Sequence, residues 1–482
     1  MPKASDVVKS AKSSSKATSK LPLPPFVKSK PVVGNLIEFY RDRLTFLNRA
    51  MAEHGEIFAI RLGPRKVVVL LNPDDLNFVF MQNDLTLSVG QAYQFVATMF
   101  SPEYLYMADY DEYIEQRKVL LPAFQGAKLG NYLGSMLREL KDWMHVLGDK
   151  GEFDVVDELS KLALRIAARA FIGEDFRKAL HDKFIPLFTD LSRGADPIFP
   201  ANWPLPHLIR CRAARAELGR LVSSVFQKRR HEGGEYHDFI QYLLEARYHG
   251  DQHLPEEIMI NMVLGIVWGG YETTTGTMSW ALIHLLQNPS FLQKVVAEID
   301  TVLATEPMTE LDTWRGLEHL QYAFWETERL EPVSDILLRY NVKGYEIGGY
   351  HVPAGWYTVI SPSITQRLPR LYSHPNAYDP LRHAPGREEQ ASHRFSQLAF
   401  GGGLHKCPGM NFAHTEMKVV MGMLLHEYDL VLIDRQPDKL HSIGIQRPGA
   451  CRVRYQRRTT GGLNAQKTSS QTPASLCPVH PS

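Results

Sequence analysis

The sequence predicts a mainly α fold, a large helical region joined to a small β region, closed around a buried flat ligand. Three observations carry that expectation. The stretch from Ile258 to Leu286 is almost wholly apolar, long enough at ~1.5 Å per residue to cross a large domain as one helix. A second apolar-periodic stretch, Met410 to Leu425, begins directly after the glycine-rich loop Phe400-Gly-Gly-Gly-Leu-His-Lys-Cys407-Pro-Gly409. Strand-like runs, by contrast, are few and short.

From the amino end, residues 1–20 are rich in Lys, Ser and Ala without apolar periodicity and read as a disordered basic tail. Leu21-Pro-Leu-Pro-Pro25 opens the folded segment, expected over residues 21–458. Phe58 to Leu62 and Lys66 to Leu71 flank Gly63-Pro64 and make a hairpin. Helices follow over Tyr113 to Leu121, Leu159 to Phe171 and Arg212 to Arg230. The long apolar helix has Pro255 suited to its first turn and Asn288-Pro289 as its stop. One more helix is expected from Glu310 to Leu330, then a second hairpin between Gly344 and Gly355. Residues 459–482, rich in Thr, Ser, Gln, Pro and Gly, read as another disordered tail, and no internal repeat is evident.

Of the 482 residues 44% are hydrophobic and 22% charged, and the formal charge is +1, which argues against nucleic acid as a partner. The cysteines, Cys211, Cys407, Cys451 and Cys477, are too widely spaced for a disulfide framework or a zinc site, and suit a reducing compartment.

The cysteine loop carries the chemistry. Glycines reach φ > 0 and let backbone approach a ligand closely, as a sharp turn beneath a flat cofactor requires. Cys407 also precedes a helix amino terminus, which favours a thiolate. His405, two residues earlier, can face the same side. A buried structural cysteine in a glycine turn is the plainer alternative.

Within the long helix, Gly269-Gly270-Tyr271-Glu272-Thr273-Thr274 sets a charge and two hydroxyls in an apolar run. The glycines let the helix loosen, and Thr273 can bond back to a carbonyl. Alternatively, Glu272 faces a neighbouring arginine and the threonines satisfy themselves. Further on, Glu326 and Arg329 stand at i and i+3 on one helical face. That spacing is weak evidence, since Glu217 and Arg220 share it as a solvated ion pair. A lone arginine, Arg117, follows Tyr113-Ile-Glu-Gln.

Together Phe400-x-x-Gly403-x-His405-x-Cys407-x-Gly409, Glu272-Thr273, Glu326-x-x-Arg329 and Tyr378-Asp-Pro380-Leu-Arg382 resemble, in order and separation, the motifs of the cytochrome P450 family. The resemblance implies one domain around a haem with Cys407 as axial thiolate, because motifs from Tyr93 to Gly409 must meet there. It implies that Glu272 and Thr273 deliver protons, and that Glu326, Arg329 and Arg382 form a structural ion-pair triad. Arg117, Arg339 and His405 would engage the haem propionates, with Tyr93, Tyr106, Phe400, Gly403 and Gly409 also at the cofactor.

Tyr93, Tyr106, Arg339, Pro204-Leu-Pro206 and Val453 to Arg458 make the chain most similar to sterol 14α-demethylases and their fungal relatives. It departs from them at Glu272, where they carry histidine. The implied activity is a monooxygenase inserting one oxygen atom of dioxygen into a bulky hydrophobic substrate, a sterol or triterpenoid-like intermediate of lipid or secondary metabolism. Electrons would come from NADPH through a separate reductase, because the chain has no flavin-binding segment. Phe95, Phe100, Phe199 and Trp268 are candidate pocket walls. The expected location is the cytoplasmic face of the endoplasmic reticulum membrane. No apolar run of about 20 residues precedes the prolines, so either the chain starts late or it docks through a surface patch. A haem isomerase or dehydratase and a non-catalytic haem protein are the rival classes.

Overall fold

The computed structural model describes residues 21–174, 183–434, 437–441 and 445–459. Of the two tails expected at 1–20 and 459–482, all but Thr459 lie outside them.

The long apolar stretch forms a single helix, and much of the helical body packs around it. Pro73–Met81 (α1), Tyr110–Ala123 (α2), Ala127–Leu147 (α3), Val155–Ala167 (α4), Phe184–Ser192 (α5), Pro206–Glu232 (α6), Glu256–Gln287 (α7), Glu318–Leu330 (α8) and Met410–Glu427 (α9) are the helices that matter here. Helix α7 is 32 residues long and packs against α4, α6, α8 and α9. A helix buried on nearly every side needs no polar face, which is why its sequence lacks amphipathic periodicity. Pro255 is its N-cap, and Glu256 and Glu257 lie in the first turn, where the helix dipole favours acids.

The β region is a five-stranded sheet built from Ile57–Leu62 (β1), Arg65–Leu70 (β2), Leu87–Ser88 (β3), Leu337–Asn341 (β4) and Tyr357–Ile360 (β7), in the order β1-β2-β7-β4-β3. Tyr345–Ile347 (β5) and Tyr350–Val352 (β6) form the second expected hairpin, with Tyr345 opposite Val352. In β2 the run Val67-Val68-Val69-Leu70 lacks alternation because both faces are covered. Val67 and Val69 meet Phe39, Phe46 and Leu47, while Val68 and Leu70 meet Leu76, Phe80 and Phe395. A last hairpin, Lys439–His441 (β8) with Gln446–Pro448 (β9), leans on α7.

The helix expected over Glu310 to Leu330 is two helices, Leu311–Arg315 and Glu318–Leu330. Leu317, at φ −76° and ψ 87°, leaves the helical region and turns the chain into α8. The segment Leu159 to Phe171 starts earlier, at Val155, where the Asp154 carboxylate caps the Asp157 N–H, and it ends in a wider π turn over Ala168–Ile172. Among the described residues no helix is long and apolar enough to cross a membrane.

Candidate active site over Cys407

The loop before α9 holds Cys407 by backbone bonds. Its N–H donates to the Phe400 carbonyl at 3.0 Å, and Gly409 caps α9 at its amino end. Burial pushes the Cys407 thiol up from its ordinary value, opposed by the Gly409 and Met410 N–H groups and by the charges of Arg117 and Lys406. The thiol lies deep in the protein yet is accessible, because the surface it meets is the wall of a cavity of about 370 Å³. Phe400, Gly401, His405, Pro408 and Gly409 line the same cavity.

The glycines answer chiefly to protein, not to a ligand. Gly403 has φ +62°, and a Cβ there would overlap the Phe80 carbonyl of α1. A Cβ on Gly402 would sit 3.0 Å from the Phe80 ring. The expectation that the glycines of this loop serve the close approach of a flat ligand is corrected for Gly402 and Gly403, where α1 is wedged against the loop. Only Gly409 faces the thiol, its Cβ position 3.9 Å from Sγ.

Around the cavity rim stands a donor-rich group. Arg339 of β4 is buried, and its guanidinium donates to the Leu338 carbonyl at 2.7 Å. His405 Nε2 meets Asp84 Oδ2 at 2.7 Å, and His405 Nδ1 is buried with no partner among the described residues. Tyr93 and Tyr106 stack at 5.9 Å between ring centroids and line the cavity beside them. Arg117 donates to the Lys406 carbonyl at 2.9 Å and to the Tyr113 hydroxyl at 3.3 Å, which places it against the cysteine loop. Buried cationic and hydroxyl donors with unfilled capacity fit a cofactor bearing carboxylates, and a thiol at the cavity floor fits its metal. The residues present therefore fit a haem. Asp84, which orients His405, was not singled out from sequence, since a lone Asp in a loop carries no signal there.

Glu272 and Thr273 enter the cavity from α7. Thr273 Oγ1 donates to the Gly269 carbonyl at 2.6 Å, the backward bond expected of it. Among the described residues no arginine stands at ion-pair distance from Glu272. Its Oε1 accepts from the Tyr271 hydroxyl at 2.7 Å, which in turn lies 2.6 Å from Ser192 Oγ of α5.

Behind the cavity, Glu326 accepts both nitrogens of the Arg329 fork at 2.8 Å and Arg382 Nε at 3.0 Å, all three side chains fully buried. His383 Nε2 joins at 3.1 Å, and Glu389 meets Arg382 at 2.6 Å. Burial alone would push the Glu326 carboxyl up, but hydrogen bonds from Arg329 and His383 and the Arg329 and Arg382 charges hold it down to about 2. The group is a four-member cluster with an acidic fifth, not a bare triad. Glu217 and Arg220 form an ion pair on an exposed helix face, as their spacing alone warranted.

Of the four aromatic wall candidates, Phe95 and Trp268 line the cavity. Phe100 lies one layer out, its ring 5.9 Å from that of Trp268, so it supports the wall without forming it. Phe199 is 40% exposed and lines a different cavity of about 450 Å³ at the surface, together with Tyr40 and Ile198.

Residues 24–450 match the family model for cytochrome P450. The chain is 29% identical to obtusifoliol 14-alpha demethylase of Sorghum bicolor, covering 90% of this chain and 91% of that one. It is 28% identical to lanosterol 14-alpha demethylase of Homo sapiens, covering 90% and 87%. The solved structure of retinoic acid bound cyanobacterial CYP120A1 superposes with a TM-score of 0.81 at 25% identity, over 91% of this chain and all of that one. With a cavity-floor thiol, a cation-rich rim and a match spanning nearly the whole fold, this chain belongs to the cytochrome P450 family, and so is a haem-thiolate monooxygenase that takes electrons from a redox partner and acts on a hydrophobic substrate.

Proposed function

We propose that the protein oxidises a sterol or triterpenoid-like substrate held over Cys407. The observation that carries this reading is the Cys407 thiol at the floor of a mainly apolar cavity whose α7 wall presents Glu272 and Thr273. Cys407 would hold the haem iron through its sulfur. Arg339, His405 and Arg117, with the Tyr93 and Tyr106 hydroxyls, would hold its propionates. When bound, the haem supplies activation of dioxygen, chemistry no side chain here provides. The chain's own residues do the rest: Glu272 holds and passes protons at Oε1, with Thr273 beside it, while Phe95 and Trp268 help exclude water. The Glu326 cluster keeps the loops beneath the cofactor in place. Phe400, Gly403 and Gly409 shape the turn that presents the sulfur.

The sterol demethylase names among the relatives support a polycyclic substrate. The electron donor is an NADPH-dependent reductase. Peripheral association with the endoplasmic reticulum membrane fits a run of exposed apolar side chains, Ile37, Tyr40, Ile198, Phe199 and Trp203, of which three rim the surface cavity. A haem isomerase or a passive haem carrier is disfavoured by the Glu272 and Thr273 pair.

The test is Cys407→His. It should abolish the red-shifted Soret band that the reduced carbon monoxide complex of a thiolate-ligated haem shows, and an unchanged spectrum overturns the ligand assignment. Product formed from a sterol panel without NADPH and dioxygen would favour the isomerase.

A further inference from the structure

We propose that Arg447 is a recognition site for a carboxylate on the substrate, so that the natural substrate is an acid built on an apolar polycyclic skeleton. The inference rests on the reading that the cavity over Cys407 receives the substrate.

Arg447 lies on β9 and lines that cavity. The hairpin carrying it is fastened: Gln446 N–H donates to the Val333 carbonyl at 2.7 Å, its side-chain amide to Glu331 Oε2 at 2.5 Å, and Lys439 pairs with Glu331 at 2.6 Å. The arginine is therefore held at the wall and does not swing on a loose loop. The cavity it lines is largely apolar, with Val96, Leu105, Ile266, Trp268, Leu337 and Ile445 among the lining.

The guanidinium is half-buried and always charged. Among the described residues no carboxylate pairs with it. Two acids line the cavity: Glu272, which accepts from Tyr271, and Glu328, which is bound by His414 at 2.8 Å. The neighbouring residues 442–444 are Ser-Ile-Gly and supply no acid. A cation kept in an apolar cavity without a counter-ion is costly unless an anion arrives with the ligand, and a planar guanidinium suits a carboxylate through two parallel hydrogen bonds.

The cofactor does not account for it. The polar groups at the cavity rim, Arg339 and His405, are grouped with Asp84, Tyr93 and Tyr113, whereas the charge of Arg447 is felt at Tyr271 of α7. Arg447 thus belongs to the part of the wall that carries the Tyr271 and Glu272 pair, where a ligand's polar end can reach it while its skeleton fills the remainder.

The experiment is equilibrium binding to the ferric, haem-loaded protein, read as the Soret shift that accompanies displacement of water from iron. Two ligand pairs are used: ursolic acid with its methyl ester, and a tetracyclic steroid carboxylic acid with its methyl ester. In the wild type at least one acid should bind about 10-fold or more tightly than its ester. Arg447→Met should raise the Kd of that acid by roughly 10- to 100-fold, the usual worth of a charged hydrogen-bonded partner, and leave the ester unchanged. Arg447→Lys should restore part of the difference. An acid-to-ester ratio near one in the wild type for both pairs, or a ratio that Arg447→Met leaves intact, overturns the proposal. Failure of the underlying reading looks different: the reduced carbon monoxide complex then lacks its thiolate band, whatever the ligands do.

Discussion

The Tyr271 hydroxyl donates to Glu272 Oε1 at 2.7 Å and sits 2.6 Å from Ser192 Oγ, so an acid of α7 is tied to α5 through one phenol. Burial, with the Glu272 charge beside it, raises the Tyr271 hydroxyl well above its ordinary value, which keeps it a neutral donor. Tyr271→Phe frees the carboxylate to turn away. The expected result is full haem content with product per NADPH reduced roughly 2- to 10-fold, the range for one lost hydrogen bond. Glu272→Ala should lower that ratio further. A normal ratio in both variants removes Glu272 from proton delivery.

The Glu326 cluster makes stability depend on pH in a defined window. The folded value, about 2, lies below the ordinary 4.5, so the unfolded chain takes up the proton first. The cluster's contribution is complete above about pH 4.5, and falls away as pH drops toward 2, by roughly 3 kcal/mol in all. Thermal unfolding of the wild type between pH 6 and 3 should trace this loss, and Glu326→Gln should flatten it. A single removal such as Arg329→Ala leaves a buried charge and costs ~3–5 kcal/mol, which should appear as haem-free protein.

At Gly403 two constraints coincide, a left-handed φ and contact with the Phe80 carbonyl. Gly403→Ala should cost more than the ~1–2 kcal/mol of the conformation alone, because α1 must also move. Loss of haem occupancy with α-helical content retained is the expected outcome. Normal occupancy would show that the loop does not depend on its seat against Phe80.

The aromatic residues separate by position. Trp268→Ala, which opens the cavity wall, should weaken ligand binding by roughly 10-fold. Phe199→Ala should leave Kd within twofold in detergent and lower binding to lipid vesicles instead. Equal effects on ligand affinity would mean that the two cavities act as one.

Much of this molecule could be read from the chain. The Cys407 loop, Glu272-Thr273, Glu326-x-x-Arg329 and the long apolar helix are local patterns, because each depends on residues a few positions apart whose spacing backbone geometry dictates. The valine run of β2 likewise announced a strand, though not that both its faces are covered. What the chain alone left open are contacts between residues far apart in sequence. His405 meets Asp84 across 321 positions, His383 joins Glu326 across 57, and Ser192 reaches Tyr271 across 79. Nor could spacing tell that Phe95 and Trp268 face the cavity while Phe199 lies outside it, since an aromatic residue lowers the free energy wherever it is covered. Arg447 had no motif around it; only the folding of a distant hairpin against α7 set its charge in an apolar wall.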